Sequence, residues 1–148
     1  MIEIMQGLWR GEMFEYHGEH FDFPPLQISP RSSFPVPLYF GGTAPVALRR
    51  TARVGDGWIG AGNTPEEVPA VMQNLQALRR EYGRDHLPFE TLVGVKAVPD
   101  RALFDSLQGS GMTSGLAMPF PYVLGVRSSL DEKKRLMEQF AEDVIRHF

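Results

Sequence analysis

The chain has no cysteine among its 148 residues. That excludes disulfides, thiolate nucleophiles and zinc–thiolate centres, and leaves the redox compartment open. Strong charge of one sign is also missing. Fifteen Lys and Arg stand against eighteen Asp and Glu, a formal net charge of −3. Nothing therefore draws the chain non-specifically to nucleic acid or to an anionic membrane. No apolar run approaches the ~20 residues of a membrane span. The N-terminus, MIEIMQGLWRGEMFEYHGEH, carries Glu3 and lacks both a basic start and a small-residue cleavage site, unlike a secretory signal. A soluble cytoplasmic protein is the default expectation. Catalytic signatures are equally sparse. No nucleophile elbow, lysine-bearing phosphate loop or Ser-His-Asp order stands out.

What is present fits one globular domain spanning residues 1–148. Hydrophobic residues make up 43% and charged residues 22% of the chain, both ordinary for a folded core. Twelve prolines and fifteen glycines are dispersed as punctuation between periodic segments. Residues 1–36 read as a helix end, a small hairpin and a proline-rich connection. Ile2, Met5 and Leu8 share one helical face. Phe14, Tyr16, Phe21 and Phe23 alternate with polar residues around Gly18, as in a hairpin. Pro24 and Pro25 argue against regular structure beyond it.

Residues 37–148 alternate strand and helix four times. Strands are expected at 37–40, 57–60, 91–96 and 113–118. Helices are expected at about 44–54, from 64 to Gly83, at about 101–107, and after Ser129. Thr43 is the expected N-cap of the first. Thr64, Pro65 and Glu67 form a capping box for the second, and Ser129 with Glu132 another for the last. Val68, Val71, Met72, Leu75 and Leu78 stripe the second helix. Leu136, Met137, Phe140, Val144 and Ile145 stripe the last. Such alternation implies parallel β–α–β units. They belong either to a doubly wound sheet or to part of a (β/α)₈ barrel. A complete barrel needs about 200 residues or more.

In both architectures ligands gather where strands end. The sharpest junction is Gly41-Gly42-Thr43. Two glycines remove the Cβ atoms that would block close approach. A helix then opens, and its first N–H groups lack partners. Such a place attracts phosphate. The plainer reading is a tight turn with an ordinary cap. Asp56 is expected to satisfy backbone groups of its own turn, and Trp58 to be core. Gly60 to Asn63 read as a loop that either faces a bound ring or merely connects. Phe120, Pro121 and Tyr122 suggest an apolar wall or packing on the closing helix. Arg49 and Arg50 read as solvated surface, as do His86 and His147. His17 and His20 lie on opposite faces of a hairpin and lack a third ligand, so no metal site is assigned.

PLYFGGTAPVALRRTARVGDGWIG, residues 37–60, resembles the central signature of the luciferase-like monooxygenase family. LWRGEMFEYHGEHFDF is similar to that family's helix end and hairpin before the fifth strand. GMTSGLAMPF is similar to its eighth strand, and SSLDEKKRLMEQFAEDVI to its closing helix. The resemblance implies a partial TIM barrel of the α/β class holding strands five to eight. It implies reduced flavin mononucleotide (FMN) or a deazaflavin coenzyme as cofactor, with the phosphate on Gly41, Gly42 and Thr43. It also implies a small-molecule substrate and flavin-dependent oxidoreductase or monooxygenase chemistry. The family's first four strands, and the catalytic groups on their loops, have no counterpart here, so no catalytic residue is assigned. A half-barrel of this kind would act once completed, by a second copy of itself or by the missing N-terminal half. The alternatives are a flavin- or phosphate-binding module without turnover, and a truncated remnant without activity.

Overall fold

The computed structural model describes residues 1–148, which fall into two compact units, Met1–Pro37 and Leu38–Phe148. The first unit holds α1 (Ile2–Trp9) and an antiparallel hairpin of β1 (Phe14–His17) and β2 (Asp22–Leu26). Helix α1 buries Ile4 and Gly7, so the apolar face is centred between the expected Ile2, Met5 and Leu8. Gly7 is there because the Phe14 ring lies against it; a Cβ would sit 2.5 Å from that ring. Phe14, Tyr16 and Phe23 form an aromatic cluster with centroids 6.0–6.4 Å apart, while Phe21, in the turn, is exposed.

Pro24 and Pro25 lie inside β2, contrary to the sequence expectation. In a two-stranded sheet each strand has a free edge, where a missing N–H costs nothing. A register shift between Phe14 and Tyr16 absorbs the irregularity. At the turn, His17 Nδ1 and Asp22 Oδ1 meet at 2.5 Å. The hydrogen bond and the carboxylate charge raise the His17 pKa above the ordinary 6.5.

The second unit is a four-stranded parallel sheet of β3 (Tyr39–Gly41), β4 (Gly57–Asn63), β5 (Glu90–Val95) and β6 (Ser114–Leu116), in that spatial order. Between them run α2 (Pro45–Val54), α3 (Glu67–Glu81) and α4 (Arg101–Gln108), and α5 (Leu130–Asp143) follows. Each strand pairs with the next in sequence, so there is no doubly wound switch point. The core gathers Leu48, Val68, Met72, Leu75, Phe104 and Leu107 from three helices against Trp58, Val93 and Val95 of the strands. On the opposite sheet face Ile59 is 38% and Leu116 48% exposed, while Leu92 is half-buried.

Several expectations are corrected. Strand β4 runs on to Asn63, so the small residues after Gly60 are strand rather than loop; Ala61 pairs with Gly94 and Asn63 with Val95. Helix α3 starts at Glu67, later than Thr64. Only half of its capping box forms: Glu67 accepts the Thr64 N–H at 2.9 Å, while the Glu67 N–H goes to the Thr64 carbonyl at 3.1 Å. Strand β6 is shorter than 113–118. Helix α5 has its full Ser129–Glu132 box. Its expected apolar stripe is largely uncovered, however, with Met137 58% exposed and Ile145 60% exposed, and only Val144 buried. The residues available in this unit do not reach around that side of the helix. Asp100, not singled out in the sequence, caps α4 through the Leu103 N–H at 2.8 Å.

The base of the sheet is stapled by side chains. Asp56 accepts the Leu38 N–H at 2.9 Å and sits 3.5 Å from Arg84. It therefore holds the start of β3, eighteen residues upstream, and not merely its own turn. Thr91 and Thr113 clasp each other's backbone across β5 and the start of β6, with contacts of 2.7 to 3.0 Å.

Two outcomes are expected. Asp56→Ala should lower stability to denaturant by about 1–3 kcal/mol, because a buried-end amide loses a charged acceptor. Asp56→Asn, which keeps an acceptor oxygen, should recover part of that. In an NMR titration, His17 should hold its proton to higher pH than an ordinary histidine, and Asp22→Asn should bring it back toward 6.5. The sign follows from the raised folded value. The His17–Asp22 pair favours the folded hairpin fully below the unfolded pKa, and that contribution is lost as pH rises through the folded one.

Candidate functional site

The C-terminal ends of four parallel strands lie along one rim of the second unit: Gly41, Asn63, Val95 and Leu116. At the first of these the chain turns from β3 into α2 within three residues. Gly41, Gly42 and Thr43 are all exposed. A Cβ placed on Gly41 would meet only the Ile59 carbonyl oxygen, at an ordinary 3.7 Å, so the space above it is open. Gly42 has φ +100, and a Cβ there would also press within 3.2 Å of the Ala47 Cβ. Only glycine suits that position on both counts.

The helix start differs from the sequence expectation. Ala44, not Thr43, occupies the N-cap position, with no side-chain capping bond, and Pro45 stands first in the helix. Proline explains the shift. It favours the first helical position, and it holds the residue before it extended, here at φ −61 and ψ 144. The first intrahelical bonds run from Ala47 and Leu48 to the Ala44 carbonyl, at 2.9 and 3.0 Å. The N–H groups of Thr43, Ala44 and Val46 have no backbone partner. With the Thr43 hydroxyl, which makes no side-chain bond, they offer donors around one exposed corner.

Trp58 lies beneath this corner. It is core, as its sequence context suggests, with 0% exposure. It also does something the sequence did not reveal. Its indole Nε1 donates to the Gly42 carbonyl oxygen at 3.0 Å. Further along the rim Gly62 has φ +76, and the Lys96 side chain lies close enough that a Cβ on Gly62 would be 3.1 Å from its Cε. Lys96 is exposed, and its amide bonds the Asn63 carbonyl at 2.9 Å. Asn63 Oδ1 is buried without a partner.

The other candidates do not join this rim. Arg50 lies over the Phe40 ring at 5.7 Å on the helix side, and Arg49 is exposed. Phe120 to Leu124 form a single wide turn beside α5, and Tyr122 is 37% exposed. His17 is engaged by Asp22 in the first unit, and His20, His86 and His147 are exposed. No group of three or more His, Cys, Asp or Glu side chains is set to hold a metal. No helix is long and apolar enough to cross a membrane.

Comparison with known proteins places the chain in a family. An uncharacterised Mycobacterium tuberculosis protein is 37% identical over 97% of this chain and 50% of its own. An F420-dependent glucose-6-phosphate dehydrogenase of Beutenbergia cavernae is 40% identical over 90% of this chain and 40% of its own. The chain thus spans about half the length, or less, of the curated relatives it matches. Among solved structures, the coenzyme F420 dependent tetrahydromethanopterin reductase from Methanopyrus kandleri superposes with TM-score 0.73 at 14% identity. It covers 99% of this chain and 61% of that one. Monooxygenase RslO1 from Streptomyces bottropensis gives 0.72 at 15%, over 99% of this chain and 59% of its own. The family model of luciferase-like monooxygenases matches residues 1–102, and the chain belongs to that family.

Proposed function

We propose that this chain is the cofactor-gripping half of a deazaflavin- or flavin-dependent oxidoreductase, with the cofactor phosphate seated on Gly41, Gly42 and Thr43. The observation that carries this reading is the cluster of unpaired amides at Thr43, Ala44 and Val46, beside the open space over Gly41. A helix start presents a partial charge of about +0.5, and free N–H groups beside it suit an anionic phosphate. No side chain lies within 4 Å of a Cβ built on Gly41, so the residues present leave room for such a group. Coenzyme F420 is favoured over reduced FMN, because relatives at 40% and 29% identity are named F420-dependent. When bound, the cofactor's ring system supplies two-electron transfer to or from a small-molecule substrate. The chain's own part is to fix the phosphate by main-chain donors and so set where the ring lies.

The sheet suits four units of an eight-stranded barrel. Its strands follow sequence order, its helices cover one face, and apolar Ile59 and Leu116 remain open on the other. Strands β3 and β6 each leave one edge unpaired. Relatives about twice as long have room for four further units. A second copy closes the ring if strand tilt and stagger agree; otherwise an N-terminal half does.

Two experiments test this reading. Titration of F420 and of FMN, followed by ring fluorescence, should show saturable binding. Gly41→Val should weaken it by about tenfold or more, equivalent to ~1.4 kcal/mol. The substitution suits a strand and its Cβ meets no atom closer than 3.7 Å, so the fold should survive. Undiminished binding in that variant would remove the phosphate from this junction, and no spectral change with either cofactor would leave the remnant reading. Sedimentation should show a species heavier than the 16.6 kDa chain; a monomer with and without cofactor would exclude closure by a second copy.

A further inference from the structure

We infer that Trp58 is a positioning residue for the proposed anion seat, acting through the peptide between Gly42 and Thr43. The inference rests on the phosphate reading above and adds the device that aims its donors.

Four observations converge. Phe40 and Trp58 are register partners in β3 and β4, so Gly42 lies two residues beyond the partner of Trp58. Gly60, two residues along β4 and on the same face, makes the reach possible. A Cβ on Gly60 would lie 2.4 Å from Trp58 Cη2, so the indole reclines along the strand over a bare backbone. Lying that way, its Nε1 meets the Gly42 carbonyl at 3.0 Å. Gly42 has φ +100, a conformation that lets its carbonyl turn inward toward the indole.

The consequence follows from peptide geometry. In a planar trans peptide the C=O and the N–H point in opposite directions. A Gly42 carbonyl drawn inward to a fully buried indole therefore turns the Thr43 N–H outward, toward the exposed corner. Trp58 touches no ligand in this arrangement. It fixes the direction of one donor. Without the indole N–H, the Gly42 carbonyl would lose its partner. The Gly42–Thr43 peptide, flanked by glycine, would then be free to rotate.

The test separates direction from packing. Trp58→Phe keeps an aromatic ring and removes the N–H; incorporation of 3-benzothienylalanine at position 58 removes the N–H while keeping the bicyclic shape. In both, the amide residual dipolar coupling of Thr43 should change, while couplings in α3 stay as in the parent chain. FMN and riboflavin, which differ only by the phosphate, are the binding probes where the parent chain binds FMN; F420 and its phosphate-free deazaflavin core take their place where it binds F420 alone. The preference for FMN over riboflavin should fall about tenfold in both variants, with riboflavin affinity unchanged. If Trp58→Phe does not fold, the benzothienylalanine protein carries the test alone. An unchanged Thr43 coupling, or equal losses for FMN and riboflavin, would overturn the positioning role. A parent chain that prefers neither FMN over riboflavin nor F420 over its phosphate-free deazaflavin core would overturn the phosphate reading, and the role of Trp58 in binding with it.

Discussion

One constraint organises the larger unit: every strand is parallel to its sequence neighbour and lies next to it. Right-handed crossovers then carry each helix to the same face. Burial is one-sided as a result. Trp58, Val93 and Val95 meet the helices, while Ile59 and Leu116 look out from the other face. The same rule puts all four strand ends on one rim, so the glycine junction, Gly62 and Lys96 share a neighbourhood despite being up to fifty-five positions apart in the chain.

The two ends of the sheet are built from different materials. At the base, side chains hold backbone: Asp56 takes the Leu38 amide, Arg84 donates to the Gly55 carbonyl at 3.0 Å, and Thr91 and Thr113 bind each other. At the rim, side chains are scarce and main-chain groups are left uncommitted. A stapled base keeps the open end in place without filling it, which is the usual division between stability and binding in parallel α/β folds.

Much of this was legible in the sequence, for identifiable reasons. Apolar spacing and caps marked the helices, and the stripe of Val68, Met72 and Leu75 is buried as expected. The glycine pair marked the junction. What escaped was non-local. Residues 60–63 carry a loop composition, yet they extend β4 because Val93, Gly94 and Val95 lie beside them. Pro24 and Pro25 break rules for central strands, not for a free edge. Thr43 is a better cap by composition than Ala44, but Pro45 sets the start of the helix. The stripe of α5 is correctly periodic, and its exposure reflects what surrounds it rather than its own pattern. The Trp58–Gly42 bond spans sixteen positions, and no local signal announces it. The glycine at 60 was its trace, readable only once the two strands are paired.

That glycine has a consequence for how the chain can change over time. Positions 42, 58 and 60 form a linked set: one supplies an inward-turned carbonyl, one the indole, one the vacant strip on which the indole lies. A smaller aromatic at 58 leaves a void that a larger residue at 60 can refill, so core density is recoverable by a paired exchange. The lost N–H is not. Lineages that drift along this route would keep a well-formed fold while surrendering the orientation of a single peptide.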